Sequence, residues 1–145
     1  MKLSELNRGF YAAVRFSDST VHHLTKLQKE LKIPFPVKAE DLHCTVVYSR
    51  VIVPFRALDD SYLLANKGTL DTFTNKNGTN ALVLRFDSEH LQERHKYAKI
   101  LGATYDFPEY LPHITLSYDV GSIQYTGEFE FPIEMTHEYT EEINF

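Results

Sequence analysis

Tryptophan is missing from these 145 residues, and cysteine occurs once. The lone Cys44 has no intrachain partner, so no disulfide framework holds this fold. A cytoplasmic setting is the expectation. No apolar run approaches the roughly 20 residues a membrane span needs. The opening MKLSELNRGF lacks the apolar core and small-residue cleavage site of a secretory signal. No linker or low-complexity tract divides the chain, so 1–145 is read as one domain with its own core. Positive charge is also scarce: 15 Lys and Arg against 20 Asp and Glu leave a net charge of −5. That balance disfavours long DNA or RNA, whose binders need many cations. A short nucleotide with one or two phosphates needs only a few local donors. Nothing in the composition implies a protein partner, a cofactor or a membrane.

The patterns that are present alternate between strand and helix. Residues 9–16 (GFYAAVRF) read as a strand. Ser17-Asp18-Ser19 offers an N-cap, and Val21, Leu24, Leu27 and Leu31 predict an amphipathic helix over 20–32, stopped by Pro34 and Pro36. Residues 42–49 alternate with a period of two, as a strand does. The stretches 69–74 and 79–86 flank Asn75-Lys76-Asn77-Gly78, a strong hairpin signal. Asp87-Ser88 caps a second helix at about 89–101, and Gly102 stands where a C-cap glycine belongs. Strands are expected at 113–118 and 127–137, with Pro132 requiring an edge or a bulge in the latter. The fold class is α+β.

Two of these strands contain the same motif. His43-Cys44-Thr45 and His113-Ile114-Thr115 stand 70 residues apart. The same offset matches Arg15 with Arg85, Phe16 with Phe86, Lys26 with Lys96, Lys29 with Lys99, Leu31 with Leu101 and Tyr48 with Tyr118. The aligned elements are also of the same type, so segments 11–48 and 81–118 read as an internal repeat. A pair of facing lobes would bring the two histidines to one ligand.

Alternation along a strand puts His and Thr of each motif on one face, with Cys44 and Val46, or Ile114 and Leu116, on the core side. An imidazole titrates near neutrality and suits proton transfer. A threonine hydroxyl can donate to a phosphate oxygen. One histidine can accept a proton from an attacking oxygen while the other protonates a leaving oxygen. Zinc is the chemical rival, but there is no Cys pair, no His-x3-His and no third ligand beside the motifs. His22, His23, His90 and His95 are expected to be solvated on the helices. Cys44 is expected to pack rather than react.

The twin His-x-Thr motifs on repeated segments resemble the 2H phosphoesterases, over roughly Phe10 to His137. The short acidic chain is most similar to the phage anti-CBASS nucleases within them. The resemblance implies a bilobal α+β fold, with two pseudo-twofold-related lobes whose antiparallel sheets flank a central cleft. It implies a metal-independent phosphodiesterase cutting 3′-5′ bonds of cyclic di- or trinucleotides. His43 and His113 match the acid–base pair, and Thr45 and Thr115 the phosphate-binding hydroxyls. Tyr11 matches an aromatic base contact, and Glu141 an acidic residue that reads a base edge. The tryptophan that the subfamily carries near its C-terminus is absent here, leaving Phe145 as its stand-in. Tyr48 and Tyr118 complete the expected substrate contacts. The rival readings are a 2′,3′-cyclic phosphodiesterase or 2′-5′ RNA end-processing enzyme, and a nucleotide-binding sponge without catalysis.

Overall fold

The computed structural model describes residues 8–145. Its elements run β1 (Arg8–Phe16), α1 (Asp18–Glu30), a 3-10 turn (Ala39–Asp41), β2 (Cys44–Ser49), β3 (Tyr62–Thr74), β4 (Asn80–Arg85), α2 (Glu89–Ile100), β5 (His113–Ser117) and β6 (Glu128–Asn144). The caps form as the sequence predicts. Ser17 and Ser88 accept from the amides of Thr20 and Leu91 at the two helix starts. β3 and β6 are far longer than expected, at 13 and 17 residues.

These two long strands pair at the centre of a six-stranded antiparallel sheet of order β2-β1-β6-β3-β4-β5. The two antiparallel sheets expected from the resemblance are therefore the two halves of one. Pro132 lies in a bulge: β3–β6 register slips between Ala65, opposite Ile133, and Lys67, opposite Glu130. A residue without an N–H is tolerated there because no ladder bond is lost. On its other side, β6 meets β1 only from Met135 onward. The first turn of α1 covers the open edge, with Thr20 Oγ1 donating to Pro132 O (2.8 Å) and accepting from Glu134 N (3.0 Å).

β1–β2 and β4–β5 share one register. Ala12 faces Val47 and Ala13 faces Thr45, skipping Val46. Seventy residues on, Leu82 faces Ser117 and Val83 faces Thr115, skipping Leu116. The helix ends agree as well. Ile33 N reaches Gln28 O as Ala103 N reaches Ala98 O, the closing bond of a Schellman cap.

One apolar cluster joins the helices to the sheet: Leu24, Leu27, Leu91 and Ala98 with Ala12, Val14, Cys44, Leu70, Leu82, Leu84 and Ile114. The edge strands β2 and β5 come into contact with each other.

Candidate active site

Burial along the two motif strands is identical residue for residue from Leu42 to Tyr48 and from Pro112 to Tyr118. Cys44, Val46, Ile114 and Leu116 are wholly buried, and the motif His and Thr residues are half-exposed on the other face. Burial pushes the Cys44 thiol up to about 12, so it stays protonated and packs.

Both histidines are fixed in the same way. His43 Nδ1 lies 2.8 Å from Asp41 O, and His113 Nδ1 lies 2.7 Å from Leu111 O. A carbonyl can only accept, so in each ring Nδ1 carries the hydrogen and Nε2 is left free. The ring of Phe73 meets His113 edge-on at 4.9 Å. Burial holds the His113 pKa below the ordinary imidazole value; the Leu111 carbonyl opposes this, and the nearby charges of His43 and Arg85 reinforce it.

An arginine stands beside each motif. Arg15 Nη1 donates to Leu42 O (3.2 Å), and its guanidinium lies 4.8 Å from the Tyr139 ring centre. Arg85 is the cross-strand partner of His113 and donates to Asp71 Oδ2 at 3.0 Å.

Tyr11, Tyr48, Glu141 and Phe145 assemble at one end of the β2-β1-β6 half. Tyr11 pairs with Tyr48 on one side and Glu141 on the other. Its hydroxyl donates to Glu141 Oε2 at 2.9 Å, and its ring stacks on Tyr48 with centres 6.3 Å apart. Burial and the Glu141 bond raise the Tyr11 pKa, so its hydroxyl remains a donor. Phe145 closes edge-on against Tyr48 at 6.0 Å. Tyr118 is elsewhere, in a groove with His43. A larger groove beyond Asp71 and Arg85 contains neither histidine.

The family model described as anti-CBASS protein Acb1 matches residues 8–145. The chain belongs to the Acb1 family. Its relatives there include the anti-CBASS protein Acb1 of Salmonella phage S16, 45% identical over 97% of this chain and 92% of the phage protein. Its namesake in Enterobacteria phage T4 is 43% identical over the same shares. Among solved structures, E. coli LigT complexed with 3′-AMP superposes with a TM-score of 0.64 at 15% identity, covering 96% of this chain and 89% of LigT. TT0787 of Thermus thermophilus gives 0.62 at 18% identity, covering 86% and 81%. The fold of this Acb1 chain is that of the 2H phosphoesterases.

Several groups around the two motifs carry no motif of their own. Arg15 and Arg85 lie on the strands that pair with the motif strands, Asp71 and Phe73 on β3, and Tyr139 on β6. Only the arginines left a trace, as a matched pair in the 70-residue offset. Tyr139 Oη is buried with no hydrogen-bond partner. The expectation of solvated helix histidines holds for His22 alone. His23 stacks on Phe131 and His90 on Tyr62. His95 stacks on Tyr110 at 4.3 Å with Nδ1 2.7 Å from Val46 O. His95 lies four residues after Leu91 and three before Ala98, which places it on the inward stripe. Among the described residues, no group of three His, Cys, Asp or Glu side chains is placed to hold a metal ion.

Proposed function

We propose that the chain is a metal-independent phosphodiesterase that opens 3′-5′ bonds of cyclic di- and trinucleotide immune signals, as a phage countermeasure to CBASS defence. The observation that carries this reading is the pair of histidines tied by Nδ1 to a carbonyl two residues back, which leaves Nε2 free on each ring. A binding sponge has no need of two such rings. Membership in a family of anti-CBASS proteins supports the choice of nucleotide.

The ribose 2′-OH attacks the neighbouring phosphorus, giving its proton to Nε2 of one histidine. The P–O5′ bond breaks, and the leaving oxygen takes a proton from Nε2–H of the other, which acts in its imidazolium form. A 2′,3′-cyclic phosphate results; water opens it by the reverse proton traffic. Thr45 and Thr115 donate to the non-bridging oxygens as charge builds there. Arg15 and Arg85 raise the local positive potential in an otherwise acidic chain. We assign the base role to His113, because burial lowers its pKa and favours the neutral ring that can accept a proton. Tyr11, Tyr48, Glu141 and Phe145 hold one base.

RNA end-processing is the second reading, favoured by a fold neighbour solved with 3′-AMP. Incubation with a 3′,3′-cyclic dinucleotide and, separately, with RNA bearing a 2′,3′-cyclic phosphate distinguishes them. The expected result is linearised dinucleotide, undiminished by EDTA, and little action on RNA. Intact cyclic dinucleotide after long incubation at micromolar protein contradicts the proposal. Loss on chelation with rescue by zinc contradicts its metal independence.

A further inference from the structure

Two non-glycine residues among those described have positive φ: Lys32 at 51° and Phe35 at 48°. Lys32 has a local reason, as the residue after the C-cap of α1 in its Schellman turn. Phe35 has none. Pro36 disfavours the right-handed helical region for the residue before it, but leaves the extended region open. Burial gives no reason either, since the residue is 77% exposed. A bulky side chain in this conformation is a strained outlier that persists only where its surroundings impose it.

The surroundings do impose it. Ser117 Oγ donates to Pro34 O at 2.7 Å, and Pro36 forms a bridge with Ser117. Val37 N donates to Leu116 O at 2.9 Å, and Gln28 Nε2 to Val37 O at 3.0 Å. Both flanks of Phe35 are thus tied down, chiefly to β5, and the ring is thrown outward between them. There it borders a groove of about 520 Å³ shared with Lys38, Asp41, His43 and Tyr118. Tyr118 is also largely exposed. A rigid frame therefore displays two unburied aromatic rings in the groove that contains His43.

We propose that Phe35 and Tyr118 form a nucleobase subsite beside His43. The inference rests on the phosphodiesterase reading and adds the station for the second base. Tyr11, Tyr48 and Phe145 form a separate aromatic group on β1, β2 and the end of the chain. A substrate with a base on each side of the cut phosphate needs two such stations. Every base offers a π face to an aromatic ring. The Asp41 carboxylate at the rim can accept from an exocyclic amine, and the Lys38 ammonium can meet a phosphate.

The test is an NMR titration with two product-like ligands, adenosine 3′-monophosphate and ribose 3-phosphate, which lacks the base. Wild type is expected to bind the first more tightly. Phe35→Ala is expected to weaken it at least about fivefold, the lower end for one base–aromatic stack, and to leave ribose 3-phosphate unchanged. Phe35→Trp should retain the preference. Phe35→Gly supplies a readout that a structural role does not give. Glycine adopts positive φ freely, so this variant should melt higher than Phe35→Ala while binding the nucleotide just as weakly. Equal affinity of wild type and Phe35→Ala for adenosine 3′-monophosphate overturns the subsite, as does a wild type indifferent to the base. Failure of the enzymatic reading looks different: base-dependent binding persists, and cyclic dinucleotide stays intact.

Discussion

The two motif histidines are alike in what sits behind them. The carbonyls of Asp41 and Leu111 fix the tautomer of His43 and His113, so neither ring spends time with the wrong nitrogen facing out. His113 is also pressed by burial toward its neutral form. If it is the base, activity depends on its being unprotonated. The acid limb of the kcat/KM profile, where the base becomes protonated, should bend below the ordinary histidine value of about 6.5. The rate should then fall tenfold per pH unit, below the midpoint of the folded group. A pH–rate profile in which the acid limb already bends at or above 6.5 contradicts that assignment. The proposed pair was visible in the sequence because the same His-x-Thr motif recurs at a constant offset. Tyr139 and Phe73 were not, since an aromatic on a strand is usually core and nothing in its spacing says otherwise.

At the scale of elements, each motif strand is held by the helix from the other half of the sequence. Val46 and Leu116 are the residues skipped by the register, and a side chain of the opposite helix caps the carbonyl of each. His95 of α2 reaches Val46 O, while Gln28 of α1 reaches Leu116 O at 3.0 Å. Tyr110 adds a bond to Thr45 O at 2.6 Å. His95→Phe keeps the ring stacked on Tyr110 but orphans a buried carbonyl, a cost of roughly 1–3 kcal/mol. Denaturant melts should show that loss, with kcat falling more than KM rises as β2 loosens. A variant as stable as wild type and equally fast removes the brace from the account. The sequence showed the helices, their caps and the hairpin turn, which are local chemistry. It hid residues 62–68 of β3 and residues 138–144 of β6. YLLANKG lacks a two-residue alternation and EYTEEIN is acidic, and they are strands only because distant partners pair with them.

Over the whole molecule, the centre of the sheet is the pairing of β6 with β3, and the two halves leave it in the same order and register. That arrangement takes the two motif strands to opposite edges, and the edges then come into contact. Such a return is invisible to periodicity, which reads one element at a time. The 70-residue offset hinted at it, because a repeat whose halves lie in one sheet puts equivalent residues in equivalent places. The proposed chemistry requires the two histidines to act as a pair. The direct measurement is turnover and binding of a 3′,3′-cyclic dinucleotide by His43→Ala and His113→Ala. Each change should lower kcat by roughly 10²–10⁴-fold, the range for a lost general acid or base, while binding stays within a few-fold of wild type. Wild-type turnover by either variant contradicts the paired acid–base mechanism.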